Sequence, residues 1–397
     1  MQRVRMLIMC VVSAVLLCLT ATANAGQTYG FATVATSNAN GGLGLSLPSI
    51  NDNGTVAFVD TSPGKEGLYT GNGGLLTTLV SSFEEFHLYY AGGPGAPTIN
   101  NAGTIAYWAY VGPSGGSSSD VGILSTTSGT IVSYPPPVGS ASGFSYSYTP
   151  SISADGTVAF AVTHVVASNG GGIFTGNGSP LTTIISNSAA APVADPSISH
   201  NNLIAYDWPD LSGNSRNGDD TLYLKNGNTT TNLGTISADF FSNIAVNNSG
   251  TVIASTLGHK VYLASGGLLT PIVNNNGTFS EDDAVSINDS GQYAFFADLA
   301  AGGSGIFTGP DPVLDKVVET GDPLAGSTIV SLGFASEGLN NSGQIAFWAD
   351  LANGEQGEFV ASVPEPSSGI IMVIILCGVL LARLPFSRTV SHLPLPK

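Results

Sequence analysis

The chain has 397 residues, of which 51 are Gly and 22 are Pro, while charged residues make up only 9 %. Because Gly costs about 1 kcal/mol at each helical position, this composition argues against a mostly helical protein, and the 43 % of hydrophobic residues argues against a disordered one. The net charge of −17 argues against nucleic acid as a partner, since a phosphate backbone is bound by clustered cations.

The first 25 residues are typical of a secretory signal peptide. Arg3 and Arg5 precede an apolar run at residues 6–19, and Ala23 and Ala25 fit the two small positions of a cleavage site. A membrane anchor is the alternative interpretation, but the apolar run is short for one. We therefore expect a helical signal segment at 1–25 and an exported mature chain.

An eight-residue phrase then recurs through the interior. Its first copy reads Asn-Asp-Asn-Gly-Thr-Val-Ala-Phe and ends at Phe58. The glycine position of the seven copies falls at residues 54, 103, 156, 202, 250, 291 and 343, with Asn202 in place of Gly in the fourth. A repeat of about 48 residues predicts a solenoid or a propeller in place of independent domains.

Each repeat unit reads as four short strands. In the first unit these are residues 48–50, 55–59, 67–70 and 75–80, which we call strands A to D, with tight turns between A and B and between C and D. Four strands per unit, repeated radially, predict an all-β fold, a seven-bladed β-propeller, over residues 26–361. A parallel β-helix, which is a β-solenoid, is the alternative.

The two ends of the repeat region predict how the ring closes. The last unit stops after its third strand, at residues 357–361, and residues 31–35 form a strand that belongs to no unit. We expect residues 31–35 to pair beside residues 357–361, because this supplies the missing fourth strand and leaves no open edge.

The connections between strands B and C and between D and A are long and differ from unit to unit, as binding loops do. Because each unit has four antiparallel strands, these two kinds of connection emerge at the same end of the sheets. We therefore expect Glu84, Asp207, Asp239 and Glu281 to project from the face opposite the Asn-x-x-Gly turns. Aromatic faces beside carboxylates suit sugar rings. The residues that we assign to ligand-binding loops are Glu84, Glu85, Tyr89, Tyr90, Trp208, Asp239 and Phe240.

Clustered carboxylates in the same loops also suit Ca²⁺, which prefers oxygen ligands. The candidate calcium residues are Glu281, Asp282 and Asp283. No cofactor is otherwise expected. The alternative interpretation is that the acidic residues of these loops are only solvated, and that their apolar residues only fill the space between blades.

Residues 362–397 form the last segment. Val363, Pro364, Glu365 and Pro366 lead into an apolar run at 369–382, and a basic tail follows at 383–397, beginning with Arg383. A short apolar helix with cations after it predicts a transmembrane anchor whose basic end stays in the cytoplasm.

These tail residues resemble the PEP-CTERM sorting signal of Gram-negative bacteria. The resemblance implies that the export machinery and an exosortase process the chain, that the helix holds the precursor in the membrane, and that the protein reaches the cell surface or the exopolysaccharide matrix. The interior phrases resemble the bacterial tandem repeat named for its N-x-x-G-x-x-A-F motif. That family implies no settled activity.

Catalytic motifs are nearly absent, and residues 26–362 contain no Cys, which excludes a Cys nucleophile and disulfides from that region. The sequence therefore predicts a non-catalytic, exported surface or matrix protein that binds a polysaccharide or a partner protein. The alternative is a secreted polysaccharide hydrolase or lyase with paired carboxylates at the propeller mouth.

Overall fold

The computed structural model describes residues 28–38, 44–62, 67–81, 86–87, 96–111, 120–127, 130–134, 144–146, 149–164, 171–178, 180–187, 196–209, 219–274 and 277–363. The chain divides into two units, 1–362 and 363–397, and Val363 is the described part of the second. The predicted helices at 1–25 and 369–382 lie outside the described residues. Within those residues, no helix is long and apolar enough to cross a membrane.

In the described parts of the first unit the strands form seven sheets, numbered here in the order of the repeat units. Sheet 1 comprises β2 (Ser49–Ile50), β3 (Val56–Asp60), β4 (Gly67–Gly71) and β5 (Thr77–Ser81). Sheet 2 comprises β6 (Phe86–His87), β7 (Thr98–Ile99), β8 (Ile105–Val111), β9 (Asp120–Thr127) and β10 (Thr130–Tyr134). Sheet 3 comprises β11 (Phe144–Tyr146), β12 (Ser151–Ile152), β13 (Val158–His164), β14 (Gly171–Gly176) and β15 (Thr182–Asn187).

The remaining four sheets follow the same plan. Sheet 4 comprises β16 (Ser197–Ile198), β17 (Ile204–Pro209), β18 (Asp219–Asn226) and β19 (Thr229–Ser237). Sheet 5 comprises β20 (Phe241–Val246), β21 (Val252–Thr256), β22 (Val261–Ser265) and β23 (Leu268–Val273). Sheet 6 comprises β24 (Phe279–Ile287), β25 (Tyr293–Leu299), β26 (Ser304–Phe307) and β27 (Lys316–Glu319). Sheet 7 comprises β28 (Pro323–Leu324), β29 (Ser327–Gly333), β30 (Ile345–Leu351), β31 (Glu355–Ser362) and β1 (Gly30–Asn38).

Most strands pair antiparallel with the next strand along the chain, as in β2 with β3, β3 with β4 and β4 with β5. The pairs of β6 with β8, β11 with β13 and β1 with β31 are antiparallel as well. Strands A to D of the first unit therefore appear where the repeat predicts them, within about two residues. The parallel β-helix alternative is wrong, because the coils of such a solenoid pair in parallel whereas these strands are antiparallel hairpins.

Consecutive sheets pack face to face and bury both sides of their B strands. In β3, Ala57 packs with Ile105 of sheet 2, whereas Phe58 packs with Val360 of sheet 7. This explains why the B strand reads as a continuous apolar run, since each alternate side chain enters a different core. Burial of one such large side chain contributes about 1.5–3 kcal/mol to folding.

Sheet 7 closes on sheet 1 with a strand from the start of the chain. β1 pairs with β31 in antiparallel register, with Phe31 opposite Ala361 and Ala35 opposite Glu358. Val34 of β1 also packs in the core that sheet 7 shares with sheet 1. The predicted pairing of residues 31–35 beside 357–361 is confirmed, and the fold is an all-β propeller.

A β-bulge recurs between strands C and D and was not predicted. The register shifts between Leu68 and Tyr69 in sheet 1 and at the equivalent place in sheets 3, 4, 5 and 6. Because of this bulge, a Cβ atom at Gly67 would lie 2.7 Å from the carbonyl oxygen of Val80. In the first unit, Gly67 at the start of strand C therefore accommodates the close approach of the bulged strand.

Candidate functional site

The first residue of the repeat phrase holds its own turn and also reaches the next unit. In the first unit, Asn51 Oδ1 accepts hydrogen bonds from the backbone N–H groups of Asn53 at 3.1 Å and Thr55 at 3.0 Å. Its Nδ2 donates to the carbonyl oxygen of Asn100, in the second unit, at 3.0 Å. A carboxamide offers an acceptor and a donor together, so this one side chain links two turns.

Five of these links are present among the described turns, and all five are buried. They run from Asn51 to Asn100 at 3.0 Å, from Asn100 to Ser153 at 2.9 Å, from Asn247 to Asn288 at 3.0 Å, from Asn288 to Asn340 at 3.1 Å and from Asn340 to Asn51 at 2.9 Å. Each is worth about 1 kcal/mol net. The last link connects the seventh turn to the first, so the turns surround a common centre.

The third and fourth units begin the phrase with Ser, and their hydroxyl groups make only the local part of this arrangement. Ser153 Oγ accepts from the N–H of Thr157 at 3.1 Å, and Ser199 holds the fourth turn in the same way. Between these units the backbone N–H of Ala154 donates to the carbonyl of His200 at 3.3 Å. The ring of turns therefore continues through the backbone between the third and fourth units. Between the fourth and fifth units it continues through a side chain, since Asn201 Nδ2 donates to the carbonyl of Asn248 at 3.0 Å.

The second residue of the phrase adds an outer rim in which amides and carboxylates alternate. Its members, in order around the ring, are Asn248, Asp289, Asn341, Asp52 and Asn101. Asn341 Nδ2 donates to Asp289 Oδ2 at 2.8 Å and to Asp52 Oδ2 at 3.0 Å, and Asn101 Nδ2 donates to the same Asp52 oxygen at 2.6 Å. Burial raises the pKa of Asp52, but the hydrogen bonds from Asn101 and Asn341 outweigh it and leave the pKa below its ordinary value. Asp52 is therefore an ionised acceptor within the rim.

A cavity of about 50 Å³ lies at the centre of these turns. Its wall includes one aliphatic side chain from each unit, at the position directly before the phrase. These are Ile50, Ile99, Ile152, Ile198, Val246, Ile287 and Leu339. The repeat thus builds a narrow apolar ring beneath a polar rim.

Glu337 enters this cavity from the connection that precedes the seventh turn. Its backbone carbonyl accepts from the N–H of Ile50 at 3.0 Å, and its Oε1 accepts from Ser151 Oγ of sheet 3 at 2.9 Å. Burial raises the pKa of Glu337, and the bond from Ser151 and the proximity of His200 offset part of that rise. One side chain of sheet 7 therefore reaches across the centre to sheet 3.

The size of the cavity limits what it binds. A cavity of about 150 Å³ takes a benzene molecule, and one water needs about 10–15 Å³. The central cavity accommodates a few waters or a small ion, but it is too small for a sugar ring. Within the described residues, no group of three or more His, Cys, Asp or Glu side chains is arranged to hold a metal ion.

The acids predicted for the opposite face lie at the predicted end of their sheets. Asp207 belongs to β17 and Asp239 precedes β20, and the structure also brings Asp220 of β18 beside them. Their exposed fractions are 1 %, 7 % and 0 %. They do not project outward as expected, because the packing of sheet 4 on sheet 5 covers them.

Groups at residues 256–260 hold the carboxylate of Asp239. Its carboxylate accepts from the backbone N–H of Gly258 at 2.8 Å and from Thr256 Oγ1 at 2.8 Å, and it lies 3.4 Å from Lys260 Nζ. Trp208 follows Asp207 and Phe240 follows Asp239 in the sequence, and both aromatic side chains are half-buried. They therefore offer only part of their surface to a ligand, and the Asp239 carboxylate has an internal role.

Several predicted site residues lie outside the described residues. These are Glu84, Glu85, Tyr89 and Tyr90 of the binding loops, Ala23 and Ala25 of the cleavage site, and Pro364, Glu365, Pro366 and Arg383 of the sorting motif. Val363 is described and is exposed. The backbone of Glu281, Asp282 and Asp283 lies in β24, with Glu281 opposite Asp298 at the end of sheet 6 away from its Asn-x-x-Gly turn.

The linking role of the phrase asparagines was not predicted from the sequence. The pattern predicts only that Asn51 and its equivalents are turn residues, for which Asp or Ser would serve as well. The available signal was the preference for Asn at this position in five of the seven copies. Glu337 carries no such signal, because it lies outside the repeated phrase.

The sheets and the linked turns define a repeat β-propeller. The chain belongs to DUF7453, a family of unknown function, whose family model matches residues 87–336 and 332–370. Among curated protein sequences, none matches the chain significantly.

Solved structures resemble the chain at low identity. A puromycin-hydrolysing peptidase of Mycobacterium tuberculosis is 15 % identical with a TM-score of 0.51, and the match covers 84 % of this chain and 56 % of the peptidase. A gluconolactonase of Xanthomonas campestris is 11 % identical with a TM-score of 0.38, over 68 % of this chain and 91 % of that one. YCF48 from Cyanidioschyzon merolae is 11 % identical with a TM-score of 0.39, over 82 % and 98 %. The likeness to the peptidase concerns the fold alone, and this chain spans little more than half of the peptidase's length.

Proposed function

We propose that the chain is an exported, non-catalytic protein of the cell surface or the extracellular matrix, and that its propeller binds a polysaccharide or a partner protein. One observation supports this above others. The polar groups at the centre of the ring are engaged with one another, and the cavity of about 50 Å³ that they surround has no room for a sugar ring. Binding is then left to the long connections at the opposite end of the sheets.

We further propose that the seven sheets are the seven blades of one closed ring, each blade being built on the strands of one repeat unit, with β1 completing the seventh. Two observations support the proposal. Sheet 7 shares a core with sheet 1, and Asn340 of the seventh turn is linked to Asn51 of the first.

For export, we propose a signal peptide at 1–25, a propeller domain at 26–361 and a PEP-CTERM-like tail at 362–397 that an exosortase cleaves. The sequence resemblance supports this proposal. In the native host, replacing Pro364 and Pro366 by Ala should leave a larger precursor in the membrane fraction. Replacing Ser367 and Ser368 by Ala is the matched control. Identical size and location of all three proteins would contradict the sorting proposal.

The ligand class is tested by glycan-array binding of the purified protein with and without Ca²⁺. With a net charge of −17, the chain should bind an acidic polysaccharide only through a divalent cation. A chelator should then release the glycan, and the triple variant E281A/D282A/D283A should weaken binding, whereas the single same-end variant D219N should not. Binding that survives both changes would refute the cation bridge, and a protein that binds no glycan in any condition would direct the search to partner proteins.

A polysaccharide hydrolase or lyase is the second candidate. The observation that favours it is that Asp52 and Asp289 of the outer rim line one cavity together with Glu337 and His200, and that the pKa of Asp52 is lowered while that of Glu337 is raised. Because a sugar ring does not fit inside the cavity, the reaction would have to take place at the rim. The binding proposal expects no reducing ends or unsaturated products from a panel of polysaccharides. Product formation that the E337Q variant abolishes would favour the enzyme instead.

A further inference from the structure

Glu358 stands at a core position of the repeat where every other unit has an aliphatic residue. The position corresponds to Leu68 in strand C of the first unit, and the remaining units place Ile123, Ile173, Leu222, Val261 and Ile306 there. Glu358 is 0 % exposed, as Leu68 is. Because burial of a carboxyl group is costly unless the group is paired or bound, this departure from the repeat indicates a role that an aliphatic side chain does not fill.

The side chain of Glu358 faces sheet 1. In sheet 7, Glu358 lies opposite Trp348 of β30 and opposite Ala35 of β1. Residues directly opposite each other point to the same side of a sheet, and Ala35 and Trp348 pack against the core that sheet 7 shares with sheet 1. Both carboxyl oxygens of Glu358 and the Nε1 atom of Trp348 are buried without a hydrogen-bond partner in the described part of the chain.

Sheet 1 brings a second carboxyl group to this seam. Asp60 ends β3 two residues after Phe58, whose side chain belongs to the shared core, and Asp60 is itself 5 % exposed. Its Oδ1 accepts from the backbone N–H of Ser62 at 2.8 Å. Asp60 lies close enough to Glu358 for its charge to raise the pKa of Glu358. The described salt bridges involve Lys260 and Lys316, so among the described residues no cationic side chain pairs with either acid.

We propose that Asp60 and Glu358 bind one Ca²⁺ ion in the seam between sheets 7 and 1. Two carboxylates balance the charge of a divalent ion, and Ca²⁺ prefers oxygen ligands and accepts both oxygens of one carboxylate. Two hydroxyl groups at the same end of the seam offer further oxygens, since Ser37 Oγ of β1 lies 3.3 Å from Ser62 Oγ. Backbone carbonyls and water complete many calcium sites that have few carboxylates. The inference goes beyond the proposed function and does not depend on it.

The ion would take the place of the proton that burial otherwise retains on Glu358, because a carboxyl group must lose its proton to bind a metal ion. It would join β31 to β3 and so fasten the last sheet to the first. Ca²⁺ fits such a site better than Mg²⁺ does, since Ca²⁺ accepts irregular coordination whereas Mg²⁺ demands a near-ideal octahedron.

Thermal unfolding of the full-length chain at neutral pH tests the inference, with a chelator in one series and about 10 mM Ca²⁺ in the other. Ca²⁺ should raise the midpoint of the wild type by about 2 °C or more, because it binds the folded form. E358L restores the residue type of the other units, so it should be more stable than the wild type in the chelator and should lose the response to Ca²⁺. E355Q, at a less buried position of the same strand, is the matched control and should keep the response.

D60N gives the reciprocal test should E358L pack poorly, and it should also lose the response. Tb³⁺, which replaces Ca²⁺ at oxygen sites, supplies an independent readout, because Trp348 lies beside Glu358 and can transfer excitation to the ion. Terbium emission excited through Trp should therefore fall in W348F and in E358L, and Ca²⁺ should compete with it in the wild type. The inference is overturned if Ca²⁺ leaves the midpoint of the wild type unchanged, if E358L and D60N keep the wild-type response, or if W348F keeps the wild-type emission.

Discussion

Asn340 donates from Nδ2 to the backbone carbonyl of Asn51 at 2.9 Å and so joins two turns that lie 289 residues apart in the chain. The same bond joins Asn51 to Asn100, where the separation is 49 residues. The last turn therefore meets the first as consecutive turns meet each other. At this position the first and last turns are joined by the same asparagine hydrogen bond that joins consecutive turns.

Replacing Asn340 by Ala should destabilise the protein by about 1–3 kcal/mol, since a buried link is lost and the turn amides of Ser342 and Gln344 lose their acceptor. Denaturant unfolding measures the change. N53A is the matched control, because Asn53 makes an exposed bond to the Asn101 carbonyl. Equal effects of N340A and N53A would show that burial of the link contributes nothing.

Strand β1 supplies a second test of closure. Val34 is buried in the core shared by sheets 7 and 1, so V34D places a charge there and should cost roughly 3 kcal/mol or more. Loss of β1 would also expose the edge of β31, and the variant should self-associate on gel filtration. A32D, at an exposed position of the same strand, should remain monodisperse with the unfolding transition of the wild type. Wild-type behaviour of V34D would contradict the described packing of β1.

Glu358 should make stability fall with rising pH. Burial raises the pKa of this group well above its ordinary value of 4.5, the charge of Asp60 raises it further, and neither carboxyl oxygen has a hydrogen-bond partner among the described residues. Above about pH 4.5 the folded form keeps a proton that the unfolded form has lost, which removes roughly 1.4 kcal/mol of unfolding free energy per pH unit.

E358Q cannot lose this proton, so the difference in unfolding free energy between E358Q and the wild type should change with pH. The measurement is denaturant unfolding at a series of pH values. E355Q, at a less buried position of the same strand, is the control and should keep the wild-type slope. Parallel curves for E358Q and the wild type would mean that Glu358 titrates normally.

Gly291, the glycine of the sixth repeat phrase, allows the cost of a positive φ to be tested separately from side-chain clashes. Its φ is 83°, and a Cβ atom placed there would meet no heavy atom of the described part of the chain within 4 Å. G291A should therefore lose about 1 kcal/mol through backbone strain alone, and G291N should lose less, because Asn tolerates this region. Asn202 already occupies the equivalent position at a φ of 68°. Thermal unfolding compares the two variants, and a G291A protein as stable as the wild type would contradict the assignment.

The repeat phrase alone predicted the propeller class, the four-stranded unit and the strand that completes sheet 7. It did so because strand length, turn glycines and alternation are local properties of about ten residues. The recurrent bulge after Leu68 escaped prediction, since Gly67 fits an ordinary turn boundary as well as a bulge. The glycine becomes interpretable only with the partner strand in place.

The candidate sites were harder to predict for a related reason. The number of strands in each unit predicted the end of the sheets at which Asp207 and Asp239 lie. It does not predict how deeply their side chains are buried. The burial of these side chains depends on how sheets 4 and 5 pack, which involves contacts between residues distant in the chain. The same holds for Glu337, whose partner Ser151 is 186 residues away.

The position of β31 has a mechanical consequence. The strand lies between β1 and β30 and is hydrogen-bonded to both, and its last residue, Ser362, stands opposite Gly30 at the start of β1. Tension on the chain beyond Ser362 would pull along β31, so the ladders on its two sides would bear the load together in shear and would not unzip bond by bond. The load would enter the ring and be resisted within sheet 7, and the other six sheets would be spared.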